Sequence, residues 1–117
     1  VSYTYFGKEY TDISNWTQLY VAVLASLFED YPEKLLQMRN TNISGAKRID
    51  FGSKIAAGTM LDSKRVNDDF YVETNLSATD IVSKIRVLLD KCNVDYENLE
   101  IKYEKRDSGV TREMSLN

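Results

Sequence analysis

An α+β fold, with a small, mostly antiparallel sheet and about three helices packed on one face, is what three features of the sequence predict. Segments 16–28 and 81–92 place apolar residues at steps of three and four, the spacing that lines one side of a helix. Segments 1–11, 48–51, 70–74 and 99–104 are short and rich in aromatic and β-branched residues, as strands are. The chain has 117 residues, of which 43% are hydrophobic, enough for one packed core and not for two. A single domain over residues 1–104, followed by a mobile tail over 105–117, is therefore expected.

In the first stretch Tyr3, Tyr5 and Tyr10 alternate with small or polar residues, and Gly7-Lys8 marks a tight hairpin turn. Asp12 or Ser14 is placed to cap a helix whose apolar positions are Trp16, Leu19, Tyr20, Val23, Leu27 and Phe28. Tyr31-Pro32 breaks that helix, because proline lacks the N–H that would bond to the previous turn. A second, short helix follows over Glu33 to Arg39. The glycines Gly45, Gly52 and Gly58 mark a loop region with short strands, one of them over Arg48 to Phe51, and 54–60 has no clear pattern. Phe70 to Thr74 is a strand. Ser77 with Asp80 three residues on resembles a capping box and opens a helix over about Ala78 to Cys92, which Asn93 ends by tolerating a left-handed backbone. Leu99 to Glu104 alternates strictly and reads as a strand with one wet face. A parallel pairing of the last two strands through the helix between them would be right-handed. Trp16, Leu27, Ile81, Ile85 and Leu88 are expected in the core.

Composition removes whole classes of chemistry. With no histidine there is no Ser-His or Cys-His triad, no histidine base and no histidine metal ligand. The one cysteine, Cys92, forms no internal disulfide and closes no zinc site; at the end of an apolar helical face it reads as a small buried hydrophobe, and a reducing, cytoplasmic setting fits. No metal and no cofactor are expected. The longest nearly apolar run, Leu19 to Phe28, is ten residues, against roughly 20 for a bilayer-spanning helix, so no membrane role is expected. The chain opens on Val1, which suits a piece of a longer protein.

Net charge is −3, but it is uneven: residues 39–67 hold six cations and two carboxylates, leaving nine cations and 16 carboxylates elsewhere. Lys47, Arg48, Lys54, Lys64 and Arg65 in that basic, glycine-containing window are the candidate nucleic-acid-binding residues, able to follow a phosphate backbone if they converge. The alternative is an ordinary solvated loop. Gly45-Ala46-Lys47-Arg48 lacks the Gly-x-x-x-x-Gly-Lys-Ser/Thr pattern of a phosphate loop. Tyr3, Tyr5 and Tyr10 are candidates for core packing or for an interaction surface, since tyrosine suits half-buried contacts. Asp50, Glu73 and Lys64 are the set a metal-dependent nuclease-like enzyme would use, yet no spacing among the carboxylates is diagnostic. Asp68-Asp69 reads as a turn and Glu29-Asp30 as a helix end.

Trp16-Thr17-Gln18-Leu19-Tyr20 and Tyr71-Val72-Glu73-Thr74-Asn75-Leu76-Ser77-Ala78 resemble an uncharacterised C-terminal accessory domain of bacterial restriction, phage-defence or mobile-element proteins. The resemblance covers about Ile13 to Tyr103 and rests on packing and capping residues, so it carries no catalytic residue across. It implies a partner-binding accessory role beside nucleic-acid machinery.

The function expected from the sequence is thus a non-catalytic binding module acting on nucleic acid or a nucleic-acid-bound protein. A protein-interaction or oligomerisation domain with tyrosine-rich surfaces comes second, and an enzyme third. A contiguous positive face favours the first; scattered cations with an exposed apolar patch favour the second.

Overall fold

The computed structural model describes residues 1–39, 50–104, 111–114 and 116. The fold is α+β, with two antiparallel sheets in place of the one expected. The first sheet contains β1 (Ser2–Tyr5), β2 (Lys8–Tyr10), β6 (Leu99–Glu104) and β7 (Thr111–Met114) in the order β2-β1-β6-β7. The second contains β3 (Phe51–Gly52), β4 (Ser63–Asn67) and β5 (Phe70–Glu73) in the order β3-β5-β4.

The β1–β2 hairpin turns one residue earlier than expected, at Phe6-Gly7, with φ of 48° and 81°. Positive φ at both central residues is the turn whose twist matches a two-stranded ribbon, and glycine reaches it without strain. β1 runs antiparallel to β6 with Tyr3 opposite Ile101 and Tyr5 opposite Leu99, and all four side chains are buried on one face. The first sheet's inner face is therefore set by the period-two alternation of both strands.

Helix α1 (Trp16–Asp30) is the element that both sheets share. The Tyr3 hydroxyl donates to the Ala22 carbonyl at 3.0 Å and shares a 2.8 Å hydrogen bond with Ser26, tying the first sheet to it. On the second sheet's side, the Phe28 ring meets Phe70 edge-on at 5.6 Å, and Phe70 stacks on Phe51 at 5.3 Å. Leu19, Tyr20, Val23, Leu24 and Leu27 between these contacts are fully buried. The N-cap is Asn15, whose side chain accepts from the Gln18 amide at 2.9 Å; Asp12 instead takes a positive φ of 60°. Tyr31-Pro32 does break the helix, and α2 (Pro32–Gln37) follows.

Segment 54–60, which had no pattern, begins with a short helix α3 (Lys54–Ala57), capped by the Ser53 hydroxyl. Of the expected strand over 48–51, Arg48 and Ile49 lie outside the described residues and Asp50 is not in a strand, so only Phe51 joins β3. Helix α4 (Ala78–Lys91) begins as expected, with the Ser77 hydroxyl accepting from the Asp80 amide, and Asn93 follows its end at a φ of 58°. It crosses from one sheet to the other: β5 and β6 lie in different sheets, so they form no parallel pair. The tail is not structureless throughout, because β7 pairs antiparallel with β6 and Leu116 is buried. Trp16 is only partly buried, whereas Leu27, Ile81, Ile85, Leu88 and Cys92 lie in the core. Among the described residues no helix is long and apolar enough to cross a membrane.

Candidate functional site

The basic window does not gather its described cations. Lys64 and Arg65 are consecutive on β4, so their side chains leave opposite faces of the strand. Each also has a partner: Lys64 Nζ lies 2.8 Å from Asp62, and Arg65 donates from Nε and Nη2 to one oxygen of Asp68 at 3.0 and 2.6 Å. The Lys64 ammonium holds the Asp62 carboxyl below the usual carboxylate range. These are exposed pairs, open to exchange with water and salt. Lys54 is exposed at the start of α3, and Arg39 donates to the Asp69 carbonyl at 3.1 Å. Lys47 and Arg48 lie outside the described residues.

Of the three candidate tyrosines, two are packed inside and one is half-buried. Tyr3 and Tyr5 are core residues with bonded hydroxyls, Tyr5 donating to Asp30 Oδ2 at 2.8 Å, and burial pushes both phenols above their ordinary value. Their inward direction follows from register: facing Ile101 and Leu99, they belong to the sheet face that α1 covers. Tyr10 is half-buried, stacked on Tyr3 at 4.6 Å with Lys8 above its ring.

Asp50, Glu73 and Lys64 are not brought together as a metal-binding set. Strand pairing does make Asp50 and Glu73 neighbours, through a Glu73 amide bond to the Asp50 carbonyl at 3.0 Å. Their carboxylates part company there. Asp50 pairs with Lys84 of α4 at 2.6 Å, with both side chains buried, and the Tyr20 hydroxyl feels the Asp50 charge. Glu73 is buried and accepts from the amides of Leu61 and Asp62, at 2.8 Å each, and from that of Asn75 at 3.3 Å. Lys64 is on Asp62. Among the described residues no group of three or more acidic or cysteine side chains could hold a metal ion.

Those Glu73 bonds define a feature that the sequence reading missed. The segment from Ser53 to Asp62 is fixed at both ends. At one end Ser53 caps α3, with the Thr59 and Met60 amides bonded back to Ala56 and Ala57. At the other, Glu73 takes the Leu61 and Asp62 amides, while the Thr74 amide and hydroxyl donate to the Asp62 carbonyl at 2.9 and 2.6 Å. This scaffold displays two large apolar side chains, Ile55 at 91% exposure and Leu61 at 63%, among the exposed polar residues Lys54, Thr59 and Asp62. The Lys64–Asp62 pair at its end carries both signs of charge. The signal in the sequence was Glu73 itself, an acidic residue in a β-rich run, which needed donors if buried. Compared with known proteins, the chain matches no family model, no curated protein and no solved structure.

Proposed function

We propose that the chain is a non-catalytic protein-interaction module that pairs with a second copy of itself through the Ile55–Leu61 segment. The observation that carries this reading is the exposure of Ile55 and Leu61 on a segment tied by the Ser53 cap of α3 at one end and by the buried Glu73 carboxylate at the other. Single exposed apolar residues are ordinary on any protein surface. Two of them on a backbone tied at both ends lose little further freedom on binding, which is the economy of a preorganised contact.

A mixed rim favours a second copy over a strongly charged partner. A two-fold interface sets one patch against itself, so its rim must be self-complementary, as a rim bearing both members of the Lys64–Asp62 pair can be. Burying Ile55 and Leu61 from both copies contributes on the order of 6–12 kcal/mol. Association costs about 4–15 kcal/mol, a range that overlaps the gain, so no tight dimer follows and pairing is expected only at high protein concentration. An accessory role of the kind the resemblance implies would suit such a module.

Sedimentation velocity over a range from micromolar to millimolar protein tests the reading. The expected result is a concentration-dependent dimer that Ile55→Asp and Leu61→Asp abolish, while Phe6→Ser, at another exposed apolar residue, leaves it intact. A monomer at every concentration, or a dimer unmoved by the two Asp variants, overturns it.

A further inference from the structure

The first turns of α1 and α4 and the C-terminal part of β6 leave a groove of about 360 Å³ between them, apart from the pairing segment, lined by Trp16, Ala78, Thr79, Val82, Arg86 and Tyr103. Along α4, Ala78, Thr79, Val82 and Arg86 recur at steps of three and four, so they form one stripe and one wall. The opposite wall is aromatic: Trp16 and Tyr103 lie 5.8 Å apart, tilted by 50°, and neither ring is fully covered. The volume falls within the range of small-ligand sites, which are mostly apolar with a few fixed polar groups.

Arg86 is the fixed polar group. Its Nε donates to the Leu116 carbonyl at 2.9 Å, which sets the plane of the guanidinium and leaves the Nη donors for another partner. Asp90, one turn further along α4, is placed to neutralise it but takes the Tyr96 hydroxyl instead, and this bond raises the phenol's pKa above its ordinary value. Among the described residues no carboxylate stands within ion-pair distance of Arg86. A half-buried cation with no carboxylate at ion-pair distance among the described residues, at the edge of a groove with aromatic walls, is complementary in charge and shape to one kind of occupant.

We propose that this groove is a binding site for a planar aromatic monoanion, with its ring between the Trp16–Tyr103 wall and Val82 and its carboxylate on the Nη donors of Arg86. The ring gains contact with flat partners at offset-stacking distance, and the carboxylate gains charge-assisted bonds in a partly desolvated place.

Trp16 is the sole tryptophan, so its emission reports on this groove alone. The test titrates 2-naphthoate into the unaltered chain and, separately, 2-naphthamide, which keeps the ring and removes the charge. Saturable quenching by the naphthoate is expected, with backbone amide shifts concentrated at 78–86. The amide should bind about tenfold more weakly or worse, the difference expected of a charge-assisted bond. Arg86→Gln should bring the naphthoate to the amide's affinity. Because that variant also loses the Leu116 bond, the comparison of the two ligands on the unaltered chain decides the matter. No saturable quenching by the naphthoate, or equal affinity for both ligands, overturns the proposal.

Discussion

Lys84 reaches Asp50 at 2.6 Å with both side chains buried, and the pair fastens the middle of α4 to the residue that precedes β3. Attraction at that distance inside a protein is large, but so is the cost of taking two charges out of water, and the two nearly cancel. The arrangement matters most when one member is lost. Lys84→Met leaves the Asp50 charge buried without its ammonium and should cost about 3–5 kcal/mol in urea denaturation. The double variant Lys84→Met/Asp50→Leu should be more stable than the single one, since no lone charge remains. If the double variant falls well below the unaltered chain, the pair contributes net attraction and this balance is wrong.

Glu73→Gln keeps the size of the side chain while replacing one acceptor oxygen with a donor. Leu61 and Asp62 each donate to a different oxygen of Glu73, so one of the two amides must then face an N–H. The expected loss is about 1–3 kcal/mol for a buried group left unsatisfied. Hydrogen exchange should accelerate at the Leu61 and Asp62 amides before it does in α1, and the dimer should weaken because its surface is no longer preorganised. Unchanged exchange at those two amides would show that the turn is held by Thr74 alone.

Much of the fold was legible in the sequence because it depends on local chemistry. Ser77 with Asp80, Pro32 after Tyr31 and Asn93 at the end of α4 act within one turn of the chain, and each does in the structure what its residue type requires. Which sheet each strand joins is a non-local matter. Alternation in Leu99–Glu104 says that one face is covered, but not that β1 and β7 flank it while β5 sits in another sheet. The same limit explains Tyr3 and Tyr5, which are amphipathic side chains equally suited to a surface, and which register turns inward. Lys84 was readable in hindsight: it falls at an apolar step of the stripe Ile81, Lys84, Ile85, Leu88, where a cation needs a buried anion. Nothing local marks Asp50 as that anion.

The Tyr20 hydroxyl is fully buried and finds no hydrogen-bond partner among the described residues. Burial, and then the Asp50 charge, raise its pKa well above the ordinary value for tyrosine, and burial raises those of Tyr3 and Tyr5 as well. In the unfolded chain these phenols ionise near 10. A raised folded value means the native state holds its protons longer, so this stability is complete below about pH 10 and declines as pH rises through and beyond it. Tyr20→Phe removes both the unsatisfied hydroxyl and its titration. It should stabilise the chain by ~1 kcal/mol at neutral pH and flatten the alkaline decline, as thermal melts at several pH values would register. A destabilised Phe variant would reveal a bond to that hydroxyl.

Leu88 is fully buried whereas Trp16 is only partly so, and substitution should separate them. Leu88→Ala loses transfer energy and leaves a cavity in a region with no solvent to fill it, at about 2–5 kcal/mol. Trp16→Ala should cost less than the 3–5 kcal/mol typical of a buried tryptophan, because one side of the ring already faces the groove. Equal denaturation midpoints for Leu88→Ala and the unaltered chain would mean that α4 faces elsewhere.

Nucleic-acid binding makes an opposite demand on the same surface as pairing, and one titration separates them. Phosphate binding needs several cations within reach of one backbone, and each neutralised phosphate adds to the steepness of the salt dependence. Lys64 and Arg65 diverge across β4 and already hold Asp62 and Asp68, while the rest of the molecule is acidic. Labelled single- and double-stranded oligonucleotides should therefore bind no more tightly than ~10⁻⁴ M even at low salt, the weak limit of non-specific association. The double substitution Lys47→Glu/Arg48→Glu should change this little. Micromolar binding that falls steeply with salt and disappears in that variant would mean that Lys47 and Arg48 complete a phosphate-binding face, and it would transfer the function from pairing to nucleic acid.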